Sequence, residues 1–346
     1  MNVRPLSRDR EDPGRFEADA RFAVEAARWA PSVHNTQPWR FGIGDRRISL
    51  RADNERRLDC TDPSGREMMI SCGAALFTLT LALRQLGYAP RVRLLPAPDR
   101  PCLLADVDVD VPAAAPETVN PEVARLYEQI RERHTHRGAF RPGQVTAGLP
   151  ALLQVEARRE GVTLRVITDT HAQATLGALT GAAEHLGRAD PGIGAELFRW
   201  APAPGDRREN GVHPDTYPRR AERTEPDFPG RDFARGQGWG TDAPADEPAE
   251  QPSAGMVVLL TTPQDTPADW LRAGQALQRV LLRAQAEEGV SAAFHTQALE
   301  VPELRGLIRT RLCDGDHPQM LMRLGVAGTR RKSVRRPVHA VVHDDY

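Results

Sequence analysis

The chain has 346 residues, enough for two modest domains or one large one. Apolar residues make up 40% and charged residues 27%, ordinary for a globular protein, and a formal charge of −1 gives no overall attraction to nucleic acid or to an acidic membrane surface. Arginine supplies nearly all the positive charge, since Lys332 is the only lysine. The four cysteines, Cys60, Cys72, Cys102 and Cys313, form no CxxC pair and no zinc-like cluster with histidine, which favours free thiols in a reducing cytoplasm and no metal. The charged stretch Met1 to Gly14 has no apolar core, so no signal peptide is expected, and no apolar run is expected to reach the ~20 residues that span a bilayer.

Taken in chain order, Phe16, Ala20, Ala23, Ala27 and Ala30 recur at helical spacing and predict an amphipathic helix over 16–30, ended by Pro31. A polar loop from Ser32 to Pro38 follows. A hairpin comes next, with strands at 39–43 and 47–52 around a Gly44-Asp45 turn. A long apolar helix spans 65–86 and stops at Gly87. Strands near 91–95 and 103–109 precede a helix from about Pro121 that runs into the basic stretch Arg131 to Arg137. The second half reads as helix 147–160, strand 162–167, helix 171–187, strand 256–260, helix 268–288, strand 290–294, helix 302–312 and strand 319–326. Helices and strands mix without strict βαβ alternation, which points to an α+β class. Pro202 to Pro252 carries nine prolines and no regular pattern, and reads either as a lid or as a mobile surface loop. Arg28-Trp29-Ala30-Pro31 recurs as Arg199-Trp200-Ala201-Pro202, a hint of duplication, but only the first copy is followed by a polar loop.

Three segments carry candidate chemistry. In the loop Ala30 to Trp39, Ser32, Asn35 and Gln37 offer uncharged donors and acceptors that suit the polar edge of a flat heterocycle, and equally suit a loop that satisfies its own backbone. In Arg133-His134-Thr135-His136-Arg137, two guanidinium forks and a hydroxyl could hold phosphate oxygens, or form a solvated helix end. The tail Arg330 to Arg336 supports the same two readings. Gly42-Ile43-Gly44 lies on a hairpin and opens no helix, so no dinucleotide fingerprint is present.

Together these segments resemble the flavin-dependent nitroreductase family. Its APSxxNxQPW pattern is matched at every specified position from Ala30 to Trp39. Arg133 to Arg137 resembles the family's Arg-x-Ser-x-Arg/Lys flavin motif, with Thr135 where serine is commoner, and Pro318 to Gly325 with the basic residues before Pro337 resembles its C-terminal end. The resemblance runs from Phe16 to Pro337 and is weakest in the Pro202–Pro252 insert. Here the loop precedes the basic motif, the reverse of the usual order. That layout is similar to the actinobacterial Acg family, as are Asp62 to Glu67, Ser71 to Ala75 and Asp269 to Ala276.

The resemblance implies a nitroreductase-like fold in which two halves, 1–130 and 131–346 with the insert at about 202–252, mimic the family homodimer. A monomer would then suffice, without excluding further association. It implies one FMN per chain, held by Ser32, Asn35 and Gln37 from the first half, by Arg133, His134, Thr135 and Arg137, by backbone near Thr296 and Gln297 in place of the family's Glu-Gly pair, and by Arg335 with Lys332. The flavin does the chemistry, so no catalytic side chain is expected. The expected activity is reduction of a nitro, quinone or similar small-molecule acceptor by NAD(P)H. The alternative is a flavin-sequestering stress or dormancy protein with a lid over FMN. A nucleic-acid or partner-binding module would rest on the basic clusters alone.

Overall fold

Pro13 opens α1 (Pro13–Ala27) at a position where its missing N–H is no loss. The helix ends short of the expected residue 30 because Ala30, ahead of Pro31, is disfavoured in helical φ/ψ. In the computed structural model, which describes residues 13–110, 120–141, 145–220, 222–242, 253–328 and 331–343, Phe16, Ala20, Ala23 and Ala27 form the buried stripe of α1. The charged start of the chain, up to residue 12, lies outside the described residues, as do residues 221 and 243–252 of the insert and residue 330 of the tail.

β1 (Trp39–Gly44) and β2 (Arg47–Ala52) form the predicted hairpin, with its turn at Asp45-Arg46 rather than Gly44-Asp45. With β3 (Ala89–Leu94) and β4 (Leu103–Asp110) they build a sheet in the order β3-β4-β2-β1-β9. The last strand, β9 (Val342–His343), returns from the C-terminal end to pair parallel with β1. A second, antiparallel sheet has the order β5-β6-β8-β7, from β5 (Thr163–Ile167), β6 (Met256–Thr262), β7 (Ser291–Phe294) and β8 (His317–Gly325). The fold is mixed α+β.

Both faces of the second sheet are covered, and the alternation along β6 shows it. Val258 and Leu260 face a core with α4 (Leu149–Arg158) and α7 (Pro267–Glu288). Val257 and Leu259 face a core with α5 (Thr170–Ala189), α8 (Gln297–Glu300) and α9 (Pro302–Leu312). Two short helices escaped the sequence reading: α6 (Pro191–Trp200), capped by Asp190 accepting from Gly192 and Ile193 N, and the single turn α8. The described part of the insert is irregular but packed. Its Val212, Tyr217 and Phe233 close a small core with Leu197 and Ala201.

α2 (Arg66–Gln85) corrects one expectation, because by length and composition alone it could cross a membrane. It is instead a core helix, with every residue from Arg66 to Leu83 buried. α2 packs on the first sheet, α7 packs on the second, and the two helices pack on each other. They meet backbone to backbone: a Cβ on Gly73 would sit against Leu271 O, and one on Gly274 against Ile70 O. Nearby, Gln278 Nε2 donates to Thr78 Oγ1 at 3.0 Å across the buried seam. The backbone cannot yield as a flexible side chain would. Gly274→Ala is therefore expected to cost about 3 kcal/mol, the upper end of overpacking penalties, read as a lowered midpoint in urea; an unchanged midpoint would show that the seam can open without loss.

Candidate functional site

The polar loop between α1 and β1 is wound tightly, with positive φ at His34, Asn35 and Gln37. Ser32 Oγ accepts from Gln37 N at 3.0 Å, and Ser71 Oγ of α2 accepts from Val33 N at 3.1 Å, so much of the loop's geometry is self-made. The side chains of Asn35 and Gln37 reach further. Asn35 Nδ2 donates to Gly211 O and Val334 O, and its Oδ1 accepts from Arg335 Nη1. Gln37 Nε2 donates to Glu209 O, and its Oε1 accepts from Arg336 N. These two amides pin the insert and the C-terminal tail to the loop.

The basic stretch is placed by β7. His136 N donates to Ala292 O, Thr135 bridges Ala292, and the His134 ring lies 3.1 Å from Ser291 Oγ. Extending the sheet edge in this way carries Thr135 and Arg137 onto the wall of a cavity of about 450 Å³. Ser32, Thr296 and Gln297 line the same cavity. Asn35, Gln37, Arg133, His134, Lys332 and Arg335 do not. Lys332 lies at the surface, 3.9 Å from Glu132.

Arg137, on the cavity wall, meets Arg133 and Arg335, which lie behind it. Arg133 Nη2 donates to Trp29 O at 3.1 Å, and Arg335 Nη2 donates to Ala30 O at 3.2 Å. Arg137 Nη1 donates to Thr216 O, and its guanidinium lies over the Phe233 ring. Among the described residues no carboxylate pairs with any of the three. Arg133 Nε and Nη1 and Arg335 Nε have no hydrogen-bond partner. Burial, then repulsion from neighbouring arginines, lowers Arg335 to about 9 and Arg133 to about 10; burial also lowers Arg137 to about 10. Each guanidinium keeps its charge near pH 7, so the group is a concentrated positive field with open donors.

Several wall residues were not picked out from sequence. His34 lies edge-on to Phe233, and burial, then Arg231 and Arg137, holds its pKa well below the usual histidine range. His295 accepts from Arg323 Nε at 2.8 Å; burial and then Arg323 keep it neutral in the same way. Tyr217 turns a buried, unpartnered hydroxyl toward this region. Glu67, in the first turn of α2, also lines the cavity. Much of the remaining wall comes from residues 217–238 of the insert, among them Tyr217, Phe228, Arg231 and Phe233. His34 was visible inside the APSxxNxQPW pattern and Glu67 inside the Asp62–Glu67 segment. Nothing local marked either as a wall residue.

No family model matches the chain. Curated relatives do. It is 34% identical over 306 residues, 86% of this chain and 82% of the relative, to the Mycobacterium tuberculosis protein named "Putative NAD(P)H nitroreductase Rv3131". It is 31% identical over 327 residues, 93% of this chain and 94% of the relative, to "Putative NAD(P)H nitroreductase acg" of the same organism. A shorter match, 29% over 163 residues (43% of this chain and 42% of the relative), is to "Probable NAD(P)H nitroreductase PigM" of Serratia. At that identity and coverage the chain belongs to the NAD(P)H nitroreductase family of oxidoreductases, within its Acg-like subfamily.

Proposed function

We propose that the chain binds one FMN in this cavity and uses NAD(P)H to reduce a nitro, quinone or similar small-molecule acceptor. The observation that carries this reading is the arginine group, three mutually repelling charges with no carboxylate partner and three open N–H positions. Holding them together is unfavourable until an anion arrives, and a phosphate offsets that cost through charge-assisted hydrogen bonds. The adjoining volume of about 450 Å³ lies within the range of small-molecule sites.

In this reading Arg133 and Arg335, from behind the wall, supply the positive charge that neutralises the phosphate, and Lys332 adds charge from the surface. Thr135 and Arg137 meet the ribityl chain or ring edge. Ser32 approaches from the first half, and backbone at Thr296 and Gln297 meets the reactive edge. Asn35, Gln37 and His134 act from behind by fixing the segments that carry these groups. When bound, FMN supplies the two-electron chemistry between nicotinamide and acceptor. The halves 1–130 and 131–346 stand in for the two subunits of a family dimer, supported by two sheets, each bearing one long helix, that join through α2 and α7. One site per monomer follows, because the second Arg-Trp-Ala-Pro copy lacks the polar loop. The free thiols suit a reducing cytoplasm.

A second reading, flavin sequestration with little turnover, is favoured by the insert. Residues 217–238 wall the cavity, and Asn35 and Gln37 tie the preceding backbone down at Gly211 and Glu209. The purified protein should be yellow with one FMN per chain. Bleaching within seconds of anaerobic NADPH addition identifies the reductase, whereas a lasting yellow colour identifies the sequestering protein. Arg133→Ala is expected to weaken FMN binding by about 1.5–3 kcal/mol, the worth of a hydrogen bond to a charged group; unchanged flavin retention would remove the phosphate role. Asn35→Ala frees the insert at about 1–3 kcal/mol for the bonds lost. It should speed both flavin release and NADPH bleaching, and unaltered rates would mean that the insert does not gate the site.

A further inference from the structure

Reduction of a nitro group or quinone consumes a proton for each hydride. For a quinone, the hydride equivalent and one proton give the hydroquinone. For a nitro group, hydride and proton add, one N–O bond breaks, and water leaves with the nitroso product. NAD(P)H supplies the hydride and leaves as NAD(P)+. Residues of the insert form one side of the cavity, and a titratable group on its wall could supply that proton.

Few titratable wall groups could serve. His34, His136 and His295 are held neutral by burial, so they carry no proton to give near pH 7. Tyr217 is pushed up to about 12 by burial and does not release its proton. Glu222 is exposed and accepts from Ala139 N. Asp232 accepts from Arg235 N and lies 3.7 Å from Arg188.

Glu67 differs. It is 3% exposed and shares the wall with apolar Ile70, Leu277, Met320 and Phe228. The charged groups facing it are Arg66 on its own helix, Asp62 ahead of that helix, Glu300 at the end of α8, and Arg231 from the insert. Arg231 closes on Glu300 at 2.5 Å. Arg66 divides itself between Glu67 Oε1 at 2.8 Å and Gln319 O at 2.6 Å. Asp62 is held by Met68 N at 2.8 Å. Asp62, Glu67 and Glu300 thus share a buried space with Arg66 and Arg231, an arrangement that favours the protonated form of a carboxyl among them. Burial, followed by repulsion from Glu300, pushes Glu67 up to about 8, while burial raises Asp62 only to about 6. The same cluster reaches Thr296, whose Oγ1 donates to Glu300 at 2.9 Å.

We infer that Glu67 is the proton donor to the acceptor bound in this cavity. The inference rests on the reductase reading above. Its carboxyl gives one proton as the hydride is transferred, becomes a carboxylate beside Arg66, and is reprotonated from water once product leaves. A buried acid that titrates near the working pH is suited to this role.

Glu67→Gln keeps the volume and removes the acid, and two measurements test it. In protein carrying carbon-13 glutamate, the infrared spectrum of the wild type at pH 7 should show a protonated carboxyl band that titrates away near pH 8 and is missing in Glu67→Gln. This readout needs neither flavin nor turnover. In the second, FMN-loaded protein is reduced with dithionite, which bypasses nicotinamide access, and mixed anaerobically with a quinone. Reoxidation should slow about 100-fold in Glu67→Gln, and the wild-type rate should fall above pH about 8 while the variant's does not. Equal rates and equal pH profiles, or no glutamate band lost, overturn the inference while FMN binding stands. If neither protein retains FMN, the cofactor reading fails visibly in the absorbance spectrum, and the proton-donor role falls with it.

Discussion

The contact between Gly73 and Gly274 sets the geometry on which the cavity depends. Each helix carries the apolar face of its own sheet, and the missing Cβ atoms let the backbones touch at Leu271 O and Ile70 O. This distance fixes how far the first turn of α2 stands from Leu277 of α7 and from β7 beyond it. Ile70 and Leu277, one from each helix, line the cavity floor. The space is therefore lined by elements from both sides of the α2–α7 seam. A wider seam would separate the loop at residues 31–35 from the stretch at 133–137, and with them the three arginines.

Those arginines are a different kind of constraint. Helix packing lowers the free energy of the folded chain, whereas Arg133, Arg137 and Arg335, like charges without a carboxylate partner among the described residues, raise it; in the proposed reading a bound phosphate offsets that cost. They are kept in place by backbone carbonyls at Trp29, Ala30 and Thr216, which orient the guanidiniums without neutralising them. Carboxylate partners would have made a more stable chain and, in the proposed reading, a poorer phosphate site. The contrast with Glu156 is instructive. There Arg279 and Arg283 close on a buried carboxylate at 2.5 and 3.0 Å, and burial brings a satisfied ion network.

Sequence reading reached the long elements because their signals are local. The period of α7, its Thr266–Asp269 capping box and its terminal Gly289 lie within one stretch of chain, and the predicted 268–288 falls one residue inside the observed helix. The α9 limits, Pro302 and Leu312, agree with the reading for a similar reason. β9 was illegible because two residues carry no period, and its strand identity comes entirely from β1. α2 was legible as a long apolar helix over 65–86, and burial on all sides makes it uniformly internal, although its length and composition alone would also suit a membrane span. Of the residues singled out by motif, Ser32, Thr135, Arg137, Thr296 and Gln297 line the cavity. It could not tell that the Asn35 and Gln37 amides turn away to hold backbone at 209–211 and 334–336, since those partners are far along the chain. Glu67 was invisible for the same reason, because its burial and the neighbours that face it, Glu300 foremost, come from segments far along the chain.

The insert links these two aspects of the site. Arg231 comes from the wall that restricts access, and it is also the cation that pairs with Glu300. While Arg231 holds Glu300, Glu67 faces a partly neutralised neighbour. If the wall swings away, Glu300 loses its partner, its charge acts more strongly on Glu67, and Glu67 holds its proton more tightly. Water entering with the same motion favours ionisation of Glu67 and works against this effect. In the proposed reading the acid is therefore tuned by the same segment that would act as the lid, through the Arg231–Glu300 pair. Reductase and sequestering protein differ in this view by how often that segment opens, because the arginines, the cavity and the buried carboxyl are common to both.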